Sequence, residues 1–269
     1  MLGHSKAAVG TPELQSNGFW LVSIQILIIL GLLVRLFRFD NSIAVPRKWL
    51  TRHQIKRYKS STLGILHEPE EEGHFLEALG SLSERGTYLN IGAAWGYYSL
   101  LAKKTRPDLD VFAVEAHPKM CSRIFEGSMI NGVNGISVFN SAVVGKDELH
   151  DGPMKIKFGY GASVRSANSA EDGDHMIAKL VDIGGLLQSV PNSDLLVSMD
   201  VQGSEEGICR DLAADPSIGT RISTIIVGTH GADIHDMCKG FLAEAGFSII
   251  LDEPAPLEQP DGIILASRQ

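Results

Sequence analysis

Cysteine is scarce in this 269-residue chain. Cys121, Cys209 and Cys238 are odd in number, far apart and form no C-x-x-C pair. That pattern excludes a disulfide framework and a cysteine zinc site, and leaves three buried free thiols as the expectation. No N-x-S/T sequon occurs either, and both absences lean toward a reducing compartment. Positive charge is also scarce over most of the chain. Residues 60–269 hold 15 Lys/Arg against 30 Asp/Glu, whereas residues 1–59 hold nine Lys/Arg against only Glu13 and Asp40. An acidic body cannot follow a phosphate backbone by counterion release, so no nucleic-acid partner is expected. No internal repeat or low-complexity tract follows residue 60, and no G-x-G-x-x-G occurs, which disfavours a nicotinamide-dependent oxidoreductase.

The one long apolar run is GFWLVSIQILIILGLLV, Gly18 to Val34, continued by RLFRF. It suffices for a single helix across about 30 Å of hydrocarbon, with Phe19 and Trp20 as interfacial anchors and Arg35 and Arg38 snorkelling. Basic residues follow the run instead of preceding it, which argues against a cleaved signal. Residues 35–59 carry eight Lys/Arg, so the positive-inside rule places the carboxyl-terminal domain in the cytoplasm of a single-pass membrane protein. The same basic segment is suited to rest on anionic headgroups. The expected division is a tail at 1–17, a transmembrane helix at 18–36, a basic juxtamembrane linker at 37–69 and one catalytic-size domain at 70–269.

Short β-rich runs alternate with helical windows after residue 70, which predicts an α/β domain with a mostly parallel sheet covered on both faces. Strands are predicted at 87–91, 110–115, 136–140, 195–200, 224–228, 247–252 and 262–266. Helices are predicted at 74–82, 97–104, 118–129, 204–214 and 233–245. Asp233 is expected to cap the last helix and Gly246 to end it in the left-handed conformation. The glycine-containing middle, residues 145–171, is the least patterned part, with strands predicted near 149–158.

The stretch YLNIGAAWGYYSLLAKK, Tyr88 to Lys104, passes from strand through Gly92-x-x-x-Gly96 into helix. Glycines in such a turn admit a ligand close to the backbone, and a helix amino terminus favours a negative group. Glu115 ends the next strand, in VFAVEAHP, where a carboxylate accepts hydrogen bonds from both hydroxyls of a ribose. The unit therefore predicts an adenosine-like ligand at the carboxyl ends of the first strands. In THGADIHD, residues 229–236, the spacing of His230, Asp233, His235 and Asp236 matches no standard ligand motif, so no metal is expected there.

Together with NGVNGISVFNSAVV, LLVSMDVQGSEEGI and TIIVGTH, these segments resemble in order and spacing the FkbM-type methyltransferases of the class I S-adenosylmethionine-dependent fold, over roughly residues 70–250. The resemblance implies a doubly wound seven-stranded Rossmann-like sheet. It implies that S-adenosylmethionine is held by Asn90, Gly92, Ala93, Gly96, Tyr98, Glu115, Ala116, Ser141, Ala142 and Asp200. It also implies that Asp200, Glu205 and His230 face the reacting groups and that the acceptor is a hydroxyl of a sugar, lipid-linked glycan or small molecule; His230 is the first candidate for the base because its ordinary pKa lies near neutrality. Four positions depart from the family pattern, each by losing charge: Asn90 and Gln202 stand where an acid is usual, Ser198 lies where a lysine is common, and Gly228 replaces a strand-end acid. These losses motivate the alternative of a catalytically silent cofactor-binding or scaffolding domain.

Overall fold

The computed structural model describes residues 35–149, 154–157, 175–191 and 194–268. The apolar run 18–34, the tail before it and residues 158–171 of the glycine-containing middle lie outside the described residues. Among the described residues, no helix is long and apolar enough to cross a membrane.

Seven strands form the central sheet: β3 (Thr87–Ile91), β4 (Asp110–Val114), β5 (Ile136–Phe139), β9 (Leu195–Met199), β10 (Ile222–Thr229), β11 (Ser248–Glu253) and β12 (Gly262–Ser267). Their order is β11-β12-β10-β9-β3-β4-β5, with every neighbouring pair parallel except those that β12 makes with β10 and β11. This is the doubly wound, mostly parallel seven-stranded sheet expected of a Rossmann-like domain. β3 is buried at all five positions, as a central parallel strand covered on both faces must be. Its successive side chains go to opposite cores, Tyr88 to one and Leu89 to the other.

One core packs under α3 (Tyr97–Thr105) and α2 (Glu72–Ser81), and the other under α6 (Glu205–Ala214) and α7 (Ala232–Glu244). Between β4 and β5 runs α4 (Pro118–Asn131), opened by Pro118, whose missing amide costs nothing at a helix start. A small second sheet orders β6 (Ser141–Val143), β8 (His175–Val181) and β7 (Met154–Lys157), the last falling within the predicted strand region. Gly246 ends α7 at φ +88 as expected, but Asp233 does not cap it. The cap position is Gly231, and Asp233 lies inside the first turn, where its charge still suits the helix dipole.

The stretch expected as a basic linker is instead an integral part of the domain. Leu36–Arg38 (β1) and Ala44–Pro46 (β2) pair as an antiparallel hairpin, and Arg52–Ser60 forms α1 behind a Thr51/Gln54 capping box. Phe37, Phe39, Ile43, Val45, Trp49, Ile55 and Tyr58 are buried in the same core as Tyr88, Trp95 and Tyr97. Polar contacts fix the unit in place. Asn131 of α4 donates to Ala44 O and accepts from Ala44 N, both at 2.8 Å, as a neighbouring strand would. Asn41 donates to Glu72 at 2.9 Å and to the Tyr97 hydroxyl at 2.6 Å. The basic side chains Arg35, Arg38, Lys48, Arg52, Lys56 and Lys59 remain exposed on the outer surface of this folded unit.

Candidate functional site

A cavity of about 320 Å³ lies where the chain leaves β3, β4 and β9, the point at which the strand order reverses. The turn after β3 is closed on itself. Gly92 N and Ala93 N both donate to Val114 O, at 2.9 and 3.0 Å, and Ala94 N donates to Glu115 Oε2 at 2.8 Å. These amides therefore shape the turn and hold Glu115, and do not point at a ligand. Gly92 has φ +79, and a Cβ there would stand 1.7 Å from the Asp200 carbonyl oxygen. The glycine thus permits the turns after β3 and β9 to touch.

Glu115 also accepts from His117 N at 2.7 Å through Oε1. Burial pushes its carboxyl up to about 6, although the backbone donors of His117, Ala94 and Ala116 pull the other way. A carboxylate has about four acceptor sites, so acceptor capacity remains beyond these backbone donors for a hydroxyl of a ligand. Ala116, Ala142, Val143 and Met120 continue the wall beside it.

Asn90 sits in a neutral network. It donates to Ser99 Oγ at 3.0 Å and accepts from Ser198 Oγ at 3.3 Å, while Ser198 pairs with the Tyr88 hydroxyl at 2.6 Å. Asn90 and Ser198 are register partners on adjacent parallel strands. Two of the four charge departures are thus neighbours: an acid and a lysine are both absent from one buried spot, and the spot is satisfied by dipoles. A third, Gln202, donates to Asp200 Oδ1 at 3.0 Å.

The far end of the cavity is acidic. Glu68, Glu71, Asp200 and Asp261 all line it. Burial and the neighbouring acids push Glu68 well up, Glu71 to about 8 and Asp200 to about 7, the last against the pull of His230. Asp261 is carried in by the loop between β11 and β12, which is strapped to the segment before α2. Glu258 accepts from Ser61 and Thr62, Glu70 from Leu257 N and Glu258 N, and Gln259 from Glu71 N.

Asn90, Gly92, Ala93, Tyr98, Glu115, Ala116, Ala142 and Asp200 all line the cavity, whereas Gly96, Ser141, Glu205 and His230 do not. Gly96 opens α3 against Ile124, and Ser141 N donates to Glu115 O from behind. Glu205, fully buried, accepts from Val201 N and Gly203 N and holds His230 Nδ1 at 2.7 Å, so it braces the turn after β9. His230 Nε2 stands 3.4 Å from Asp200 and 3.2 Å from Asp261. Burial alone would lower its pKa, but Asp261, Glu205 and Asp200 outweigh this and push it up to about 10. The imidazole is therefore a cation at neutral pH, and the expectation of His230 as base is corrected: it has no free lone pair to accept a proton. Of the carboxyls lining the cavity, Glu115, Asp200 and Glu71 are pushed up to about 6, 7 and 8, and the last two stand at its acidic end.

Sequence reasoning missed Trp49, Thr51, Gln54, His67, Glu68, Glu71 and Asp261, all cavity wall. The alternation of Phe37, Phe39, Ile43 and Val45 and the T-x-x-Q capping box were the available signals of the folded unit; none existed for Asp261. The remaining residues of 229–236 do not converge. His235 bonds Thr229 at 2.8 Å and Asp252 at 2.8 Å, while Asp236 lies 3.2 Å from Lys239.

No protein-family model matches this chain, and no curated protein matches it. Among solved structures, precorrin-6y C5,15-methyltransferase from Geobacter metallireducens is 15% identical, with a TM-score of 0.47 over 78% of this chain and 93% of the other. A protein of the NADB-Rossmann superfamily from Streptococcus agalactiae is 12% identical, with a TM-score of 0.41 over 72% and 67%. A SAM-dependent methyltransferase from Agrobacterium tumefaciens is 13% identical, with a TM-score of 0.42 over 74% and 61%. At these identities and scores none carries an activity over to this chain.

Proposed function

We propose that this protein is a membrane-anchored methyltransferase that takes its methyl group from S-adenosylmethionine and delivers it to a hydroxyl of a sugar, a lipid-linked glycan or another small acceptor. The observation that carries this reading is the two-ended cavity at the strand switch point. At one end a buried, backbone-held Glu115 keeps acceptor sites open beside a small apolar wall. At the other end the carboxylates of Asp200 and Glu71 titrate near neutrality.

The residues fit the cofactor. Glu115 would take the ribose hydroxyls, Ala116, Ala142, Val143 and Met120 the adenine, and Asn90 with its serine partners the polar methionine end through dipoles. Tyr98 contributes a buried hydroxyl on the cavity wall that lacks a hydrogen bond of good geometry. When bound, S-adenosylmethionine supplies an activated methyl group, so the chain's own task is to align an acceptor oxygen and relieve it of a proton. Asp200 is placed for that proton, with Gln202 and His230 fixing its orientation.

The apolar run 18–34 is the proposed anchor, with the domain on the cytoplasmic side. The folded unit that follows it walls the cavity with Trp49, Thr51 and Gln54 and exposes six Lys/Arg outside, an arrangement suited to an acceptor presented at an anionic membrane. The neutral pairing of Asn90 with Ser198 weighs against the silent-domain alternative, because the lost charges leave no unsatisfied buried partner.

Calorimetry of the detergent-solubilised full chain tests the reading; removing residues 36–60 would strip part of the core. S-adenosylmethionine and S-adenosylhomocysteine should bind and NAD should not. Glu115→Ala should weaken both sulfur ligands by about tenfold to a hundredfold, the worth of one charged hydrogen bond. Failure of both sulfur ligands to bind the wild-type chain would sink the proposal.

A further inference from the structure

Glu68, Asp200 and Asp261 come from three distant parts of the chain and converge on one corner of the cavity. One carboxylate oxygen from each lies within 4.8 Å of the other two. Oxygens that each stand about 2.0 to 2.6 Å from a shared ion are at most about 4 to 5 Å apart, so the spacing is that of ligands around one ion. Convergence of acids alone would mean little, but Glu68 adds a separate observation. It is 8% exposed, and among the described residues no hydrogen bond reaches its carboxylate. The nearest ring nitrogen, His67 Nε2, is 3.9 Å away, beyond hydrogen-bond reach. Arg57 offsets the charge of Glu68 only from beyond ion-pair distance. A buried carboxyl facing a cavity without a partner either takes up a proton or keeps its charge by meeting a positive ligand.

His230 does not fill that role. Its Nδ1 is committed to Glu205, and its buried Nε2, without a well-formed hydrogen bond, is shared between Asp200 and Asp261. Against the four acids of this end and Glu205 it brings one cation. Its position is that of an outer residue that orients ligating carboxylates, as ligating acids usually require.

We propose that this corner is a divalent-cation site, in which Glu68, Asp200 and Asp261 supply oxygen ligands to a hard ion such as Mg2+ or Mn2+. An all-oxygen donor set selects Mg2+, Ca2+ or Mn2+ over zinc or copper, and such ions keep coordination positions for water or for an acceptor's oxygens. The site rests on geometry alone. Its use, to seat an acceptor with neighbouring oxygens and lower the pKa of the hydroxyl it binds, rests on the methyl-transfer reading.

The test is titration of Mn2+ into the detergent-solubilised full chain, read by electron paramagnetic resonance of the free ion and by the melting temperature. One Mn2+ should bind per chain, Mg2+ should displace it, and the bound ion should raise the melting temperature. Glu68→Gln combined with Asp261→Asn should weaken binding at least about tenfold and remove the thermal shift. That variant relieves like-charge repulsion, so it should melt no lower than the wild type without metal and should still bind S-adenosylhomocysteine. Glu115→Gln should leave Mn2+ binding intact. Absence of Mn2+ binding in the wild type, or equal binding in the double variant, overturns the site. If the double variant does not melt cooperatively, Asp261→Asn alone gives the same decision. A chain that binds Mn2+ but neither sulfur ligand keeps the site and loses the methyltransferase reading; the reverse result loses the site alone.

Discussion

The two ends of the cavity are built by different means. The Glu115 end comes chiefly from two consecutive strand-turn-helix units: Glu115 is satisfied by amides within 21 residues, and Asn90 by Ser99 nine residues on and by Ser198 on the adjacent strand β9. The acidic end is assembled from residues as far apart as Glu68 and Asp261, held by a strap in which Gln259 reaches 188 residues back to Glu71. Locally satisfied polar groups leave a site that is complete by itself. Long-range convergence of acids leaves one that waits for a positive ligand. On the methyl-transfer reading the two ends would have separate tasks, nucleoside binding at one and acceptor handling at the other.

The largest effect should come from separating the folded amino-terminal unit from the domain. Phe39 is 3% exposed, sits edge-on to Tyr97 and stacks near Trp95. Phe39→Ala should destabilise the whole domain by about 3 to 5 kcal/mol, the usual cost of emptying a buried phenylalanine site. Denaturant unfolding should show a single shifted transition. Two transitions, with only the first displaced, would mean that the unit is a separate appendage and that the acidic end is not continuous with the sheet.

That unit also shows what was legible in the sequence. Strand β3 was placed at its observed bounds because a buried parallel strand is a continuous apolar run, and Glu115 because it stands at a strand end after a glycine turn. The charge of the basic segment 35–59 suggests a linker at 37–69, but that charge lies on the exposed face, while the alternating Phe37, Phe39, Ile43 and Val45 carry the fold on the other face. The ordinary pKa of His230 suggests a base, and Asp200 at its strand end and Glu205 at the start of α6 are expected beside it, but Asp261 reaches it from a distant loop, a proximity that no local pattern encodes. Asp261 was invisible for the same reason.

An intermediate effect should follow from placing charge in the neutral network. Asn90→Asp would bury an acid beside Ser198 with no cation paired to it, in a cavity already lined by acids. It should lower stability by about 1 to 3 kcal/mol, as burial of an unpaired polar group does. On the methyl-transfer reading it should at the same time tighten S-adenosylmethionine, whose ammonium gains a partner. A variant with unchanged stability would show that the acidic end does not extend its influence to β3, and the comparison between the ends would become sharper.

The smallest effect is the pH dependence, and it distinguishes the ends most directly. Glu71, Asp200 and Glu115 have folded pKa values raised to about 8, 7 and 6, above their ordinary values. The folded chain therefore holds protons that the unfolded chain releases, and stability must fall as pH rises through these values. His230, raised to about 10, contributes in the same direction, with its share lost as pH climbs from its ordinary value toward 10. Asp200 keeps 40% of its side-chain surface open, so solvent screening tempers its part. The melting temperature should thus decline between pH 6 and pH 8, mainly through Glu71, Asp200 and His230, and Asp200→Asn, which also removes a partner of His230, should flatten that decline where Glu115→Gln barely alters it. Mg2+ should restore more stability at pH 8 than at pH 6, because the carboxylates that would ligate it must first lose their protons. A decline that Mg2+ leaves untouched would mean that repulsion among these acids is relieved by His230 and solvent alone, and the acidic end would then be closed in the same sense as the Glu115 end.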